Sequence, residues 1–303
     1  MMDMQTSEKG HRPPLSPEAV GWIALGLSVF TISWSALFVR FSDVGPLESA
    51  FWRMAIAMPA LYVWTRFAAP AKGDRPTAGG WFDSLAAGLC FAADLAFFHL
   101  AIATTSVTNA SFIANMASIL AVAASALILK ERIGPIVWAA LGIALFGAWL
   151  MGGAKASLAA LGFGDVMALG AAVAYGAYFI FLKRAQARIS SALVMWRSSL
   201  VAALALFVLA LVDGGAMWPR SPAGWLPLIG LGLLSHALGQ GLTAFAIGRL
   251  SVAPVALAVL AQPVMTALLA LLILLEPISA VQGIGAALIL IAVAASRFKG
   301  RRG

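Results

Sequence analysis

A single cysteine, Cys90, stands among 303 residues, so the chain closes no disulfide within itself and thiol-pair redox chemistry is excluded. Charge is scarce too. Asp, Glu, Lys and Arg together make up 11% of the chain, against about a quarter in soluble domains. With 62% hydrophobic residues, such a chain cannot cover itself with a water-facing surface, which excludes an ordinary soluble globule. Three histidines and one cysteine show no metal-ligand spacing, and no glycine-rich loop leads into a Lys-Ser or Lys-Thr pair, so neither a metal centre nor transport driven by bound ATP is expected. No cofactor is expected. The net charge of +8 is no nucleic-acid footprint, because the basic residues form short clusters between apolar runs instead of a patch on a soluble scaffold. The expected partners are the lipid bilayer and a small-molecule substrate, with no nucleic acid and no obligate protein partner.

What is present is apolar sequence in lengths that match a membrane. A hydrocarbon core of about 30 Å takes ~20 helical residues. Ten segments qualify, near residues 19–39, 47–66, 81–103, 106–129, 133–151, 164–182, 191–212, 224–247, 251–275 and 279–296. The longest links, 67–80 and 212–224, are too short for an extramembrane domain. The first apolar run lacks a small-residue cleavage site and exceeds a signal-peptide core, so it reads as a retained helix. With the amino terminus placed in the cytoplasm, fifteen Lys and Arg fall on the cytoplasmic side and only Arg40, Lys155 and Arg220 on the other. That bias is the expected one for a multi-pass protein of the plasma membrane with both termini cytoplasmic.

The two remaining basic residues, Arg53 and Arg197, lie inside apolar segments, each after a tryptophan: "FWRM" at 51–54 and "MWRS" at 195–198, 144 residues apart. The offset recurs. "ALGLSV" (24–29) matches "ALGAAV" (168–173) at 144, while "AIATTSV" (101–107) with "AIGRLSV" (246–252), and "LILKERI" (127–133) with "LILLEPI" (272–278), match at 145. The chain is therefore a tandem of two units of about 145 residues. Each unit holds five helices, and an odd number makes the second enter the membrane with opposite polarity. The expected fold is an all-α membrane protein of ten transmembrane helices in two inverted five-helix repeats, residues 19–151 and 164–296, flanked by a polar tail (1–18) and a basic tail (297–303). Inverted repeats of this kind place a substrate site near the midplane, at the repeat interface.

Five plus five helices, the "WR" early in the second helix of each half, and the "LILKERI" and "LILLEPI" segments resemble the drug/metabolite transporter superfamily, and within it the EamA-type bacterial exporters. The likeness covers residues 19–296 and is greatest to the YddG-type amino-acid exporters. It implies a secondary transporter of the bacterial inner membrane that exports amino acids, aromatic or of broad range, or related small metabolites by alternating access. It implies no enzyme. One departure is that Pro263, a typical position in the second half, is matched by Ser118 in the first, so the two halves are not bound to bend alike.

Candidate transport residues are the polar and aromatic ones at mid-depth. Asp94 is the one carboxylate near the middle of a segment, and an intramembrane acid faces a cavity or a partner. His99, five residues later, does not share its face. His236 and Gln240, four apart, form a polar stripe. Asn115 and Gln262 interrupt otherwise aliphatic helices, where they either line the cavity or bond neighbouring helices. Tyr175, Tyr178 and Trp34 suit the wall of a site for an apolar or aromatic group, although aromatics in such helices more often pack. Pro254 and Pro263 are candidate gating bends. Arg53, about 9 Å from a membrane surface, reads first as a snorkelling side chain and only second as a substrate contact. With the arginines shallow and no mid-depth lysine, a phosphate clamp is not expected. Competing readings are an intramembrane enzyme with His99 or His236 as base and Ser235 beside it, a channel or flippase, and a drug or cation exporter of the same fold.

Overall fold

A computed structural model describes residues 16–68, 78–152 and 162–297. The tail residues 1–15 and 298–303, with Lys9, Arg12, Lys72, Arg75, Lys155, Lys299, Arg301 and Arg302, lie outside them. Everything regular among the described residues is helical, as lipid demands of a backbone that must satisfy its own hydrogen bonds. The ten spans fall within about four residues of the sequence segments. The first is α1 (Pro17–Ser33) with α2 (Ser35–Phe41), followed by α3 (Pro46–Phe67) and α4 (Ala78–Thr104). The fourth is α5 (Val107–Asn115) with α6 (Ala117–Ile128), and α7 (Pro135–Met151) closes the first repeat. The second repeat opens with α8 (Phe163–Gln186) and α9 (Ser191–Asp213). Its third span joins α10 (Trp225–Ile229), a π-helical stretch (Gly230–Gln240) and α11 (Gly241–Arg249). Then come α12 (Val252–Val259) with α13 (Gln262–Leu274), and α14 (Ala280–Arg297). Seven spans are long and apolar enough to cross a bilayer outright; α7 and α14 are shorter, and α3 is less apolar because it carries Glu48, Arg53 and Arg66.

Local sequence sets the ends. Ser16, Ser106 and Ser190 cap α1, α5 and α9 by accepting from the amides of Ala19, Asn109 and Leu193, and prolines open α3, α7 and α13 where a missing N–H costs nothing. The repeat shows in the backbone itself. The fourth span of each unit breaks at its middle, at Met116 in the first and at Leu260–Ala261 in the second, 144 and 145 residues on. Pro263 accompanies the second break, in the first turn of α13, but the first occurs with Ser118 in its place, so both halves bend alike without a shared proline. Pro254 lies in the first turn of α12, where it interrupts no intrahelical bond and makes no bend. Each fourth span also ends alike: Lys130 (φ 56°) and Leu275 (φ 57°) are left-handed, and the amides of Glu131 and Glu276 reach back to the carbonyls of Ser125 and Ala270. Both are Schellman-type ends.

Because the spans alternate in direction, the ends nearest both chain termini share one face, called here the terminal face. In the half toward this face, α6 and α12 pack together, with Ser118 Oγ donating to the Ala256 carbonyl at 2.8 Å. The equivalent pair in the other half, α5 and α13, stands apart across a cavity of about 520 Å³ lined by Phe98, Phe112, Asn115, Gln262, Thr266 and Glu276, among others. The broken helices thus close on each other in one half and part in its symmetry mate, the closed and open halves; the closed half keeps a separate cavity of about 660 Å³ at the terminal face, lined by Trp22, Val137, Ser251 and Pro254, among others.

Close backbone approach, not burial from water, holds such spans together. The tightest case joins α7 to α14: a Cβ on Gly147 would stand 2.6 Å from the Gly285 carbonyl, and one on Gly285 2.5 Å from that of Gly147. Neither backbone yields as a side chain does. Gly147→Val is expected to cost about 1–3 kcal/mol, seen as a lowered melting temperature in detergent, whereas Gly142→Val, where a Cβ meets nothing within 4 Å, is expected to leave it unchanged.

Candidate functional site

Four spans meet around one polar cluster. α3 supplies Arg53, α4 supplies Phe91 and Asp94, α8 supplies Tyr175 and Tyr178, and the π-helical stretch supplies His236 and Gln240. The rings of Tyr175 and Tyr178 stack at 5.8 Å and 14°, and Phe91 lies 5.0 Å from Tyr178 and 5.5 Å from His236. Phe91 and His236 are 145 residues apart, so this contact joins equivalent positions of the two repeats. The Arg53 guanidinium carbon sits 5.7 Å from the centre of the Phe91 ring. Arg53 is also within Coulombic reach of Asp94, Tyr175, Tyr178 and His236. The Tyr175 hydroxyl faces Gln240.

These groups do not satisfy one another. Asp94 makes no ion pair within 4 Å and no hydrogen bond among the described residues, and Arg53 Nε, His236 Nδ1 and Gln240 Oε1 are buried without a partner there. An unpartnered polar atom in a membrane interior is costly; three of them beside a lone carboxylate describe a site shaped for a polar guest. His236 Nε2 does have a partner, Ser199 Oγ on α9 at 2.8 Å. Ser235 turns the other way and donates to the Thr31 carbonyl at 3.4 Å. The Ser199–His236 contact resembles a nucleophile with its base, but no acid orients Nδ1, and the pair works as a bond between spans.

Of the candidates, Asp94, Tyr175, Tyr178 and the stripe of His236 and Gln240 lie together, and Arg53 joins them. The snorkelling reading of Arg53 is corrected: its side chain turns into the bundle. Arg197, its repeat mate, is buried with its guanidinium carbon 4.0 Å from the Trp81 ring centre, near the terminal face. Depth along an axis was legible; direction around it was not. Phe91 and Ser199 were missed because neither residue type stands out in an apolar helix. Asn115 and Gln262 flank the two helix breaks and line the cavity of the open half. That cavity reaches Phe98, one turn beyond Asp94 on the same face of α4, but none of the cluster's side chains lines it. Trp34 marks the junction of α1 and α2, stacked on Phe38 at 5.8 Å, with its Nε1 buried and without a partner among the described residues. His99 stays apart: its Nδ1 lies 2.6 Å from the Leu95 carbonyl of its own helix. No group of three metal-ligating side chains lies together among the described residues.

The stretch that carries His236 and Gln240 is π-helical. Runs of i→i+5 bonding are rare and concentrate at functional sites. Here the wider turn accompanies close packing: a Cβ on Gly232 would meet Ile56 at 2.7 Å, and one on Gly239 would meet Ile32 at 2.6 Å. His236 lies between these two glycines and Gln240 directly follows the second, both facing the cluster.

Two inverted repeats, spans broken at mid-depth and an unsatisfied polar centre define a membrane transporter. The chain belongs to the EamA-like transporter family, which it matches twice, over residues 19–153 and 162–298. Members of that family are drug/metabolite-type transporters that take small molecules within the membrane; they are not enzymes. Chains of known structure share the fold. One of them, described only as a crystal structure of a protein, superposes with a TM-score of 0.78 at 21% identity, over 94% of this chain and 98% of its own. No curated protein matches the sequence.

Proposed function

We propose that this protein is a secondary carrier that exports zwitterionic amino acids across the bacterial inner membrane, with both termini in the cytoplasm. The observation that carries the reading is the pairing of Arg53 and Asp94 across one aromatic-walled centre without direct contact. A guanidinium for a carboxylate and a carboxylate for an ammonium match the two ends of an amino acid. Phe91, Tyr175 and Tyr178 offer a wall for an apolar or aromatic side chain. The phosphate argument is revised accordingly: an arginine does reach the centre, but Asp94 beside it cancels the charge that a phosphorylated substrate would need. With the terminal face inside, the half that stands open faces outward, the release side for an exporter.

The test is counterflow in proteoliposomes, screened against zwitterionic amino acids, sugar phosphates and cationic drugs, with and without a pH gradient. Saturable counterflow of zwitterions is the expected result. Counterflow confined to cationic drugs would replace the substrate class, and unitary currents would replace the carrier.

A further inference from the structure

The two glutamates of the repeated motif differ in what they touch. Glu131 leaves its own repeat and accepts the amide of Val252 with both carboxylate oxygens, each at 3.1 Å, at the N-terminus of α12. Ser251, the residue at the capping position there, makes no capping bond. In the other half the roles are reversed. Ser106, the repeat mate of Ser251, caps α5 through the Asn109 amide at 3.1 Å, and Glu276, the mate of Glu131, pairs instead with Arg40 at 2.5 Å on the exposed surface. The first arrangement occurs in the closed half, the second in the open one.

We propose that Glu131 and Glu276 are reciprocal latches: each closes its half of the protein by capping the N-terminal end of the broken helix in the opposite repeat. The proposal rests on the carrier reading for its purpose, but not for its geometry. When the open half closes, α5 and α13 come together as α6 and α12 are now, and Glu276 exchanges Arg40 for the amide at Val107, the repeat mate of Val252. In the same change Glu131 leaves α12 and Ser251 takes over its cap, as Ser106 caps α5 in the present state. A carboxylate suits the task because the first turn of a helix presents unpaired N–H groups and a partial positive charge. The left-handed residues before each glutamate, Lys130 and Leu275, turn the chain at the helix end so that the next side chain points back across the gap. Both are non-glycine residues in a region that L side chains avoid, and they are the only two such among the described residues, which marks the turn as shared machinery. Lys183, which donates to the Ile247 and Leu250 carbonyls at 2.6 and 2.7 Å, tightens the latched side.

The experiment reads the two halves directly with a thiol reagent in detergent, in a Cys90→Ser background. One reporter is Ala256→Cys, buried in the closed half, and the other is Thr266→Cys, in the open cavity. The unaltered latches are expected to give slow labelling at 256 and fast labelling at 266. Glu131→Ala is expected to speed labelling at 256 about five- to tenfold, the range for losing a helix cap, and Glu131→Gln less, since the amide keeps one acceptor. Glu276→Ala, at an exposed position where folding is not at stake, is expected to slow labelling at 256 by a similar factor. A purely structural role would loosen both halves in either variant, so equal or same-direction changes at 256 overturn the latch. Labelling involves no solute, so the two readings fail separately. Reciprocal shifts without saturable counterflow would remove the carrier and keep the latch, whereas counterflow without reciprocal shifts would do the opposite.

Discussion

Arg53→Ala is expected to lower saturable amino-acid counterflow by at least about a hundredfold while leaving the protein folded. The guanidinium is the one cation among the groups of the central cluster, it lies over the Phe91 ring, and its Nε has no protein partner among the described residues. A charge-assisted, two-pronged bond to a carboxylate in a site shielded from water supplies up to about 3 kcal/mol, and the hundredfold corresponds to about 2.7 kcal/mol. Arg53→Lys keeps the charge but loses the planar fork, so it recovers only part of the loss. The loss is expected in affinity, measured by binding of the amino acid to purified protein. Decarboxylated amines, which lack the group that Arg53 would hold, should show little change between the variant and the native protein. An equal loss for the amines would mean that Arg53 shapes the cavity instead of holding the carboxylate.

That residue also shows where the sequence stops being legible. Span count and inverted repeats follow from hydropathy and from an offset of 144–145 residues; depth singles out Asp94, Tyr175, Tyr178, His236 and Gln240 but equally His99, Asn115, Gln262 and Trp34, which lie outside the cluster. Hydropathy reports distance along the membrane normal, so Arg53, two turns from Pro46, reads as shallow. Its azimuth depends on how α3 packs against α9 and the π-helical stretch of the other unit and against α4 of its own, contacts that no local pattern encodes. The π-helical stretch was hidden for the same reason: Gly239 and Gly241 signal a loosened helix, not the direction in which it widens. Pro254 and Pro263 misdirect in a complementary way. A proline signals a bend in the helix interior, but these two occupy first turns, and the break at Met116 needs none. The repeat offset predicts that break better than composition does.

The second large effect concerns stability as well as transport. Asp94→Asn removes the charge that faces Arg53 and leaves an arginine uncompensated in the membrane interior, which is expected to cost about 2 kcal/mol and to abolish counterflow of zwitterions. Arg53→Met strands Asp94 in the same way. The double variant Arg53→Met/Asp94→Asn leaves neither charge, so it should be more stable than either single variant while remaining inactive. Melting temperatures of the four proteins in detergent form a double-mutant cycle, and the expected coupling is favourable, about 1–2 kcal/mol. The pair is not in direct contact, so this coupling runs through the space that the substrate is proposed to fill. A saturating zwitterion should then stabilise the native protein, by RT ln(1 + [L]/Kd), and leave the double variant unmoved. Additive single losses would show that Arg53 and Asp94 act independently, and the site would then have two unrelated charges instead of one seat for a dipolar guest.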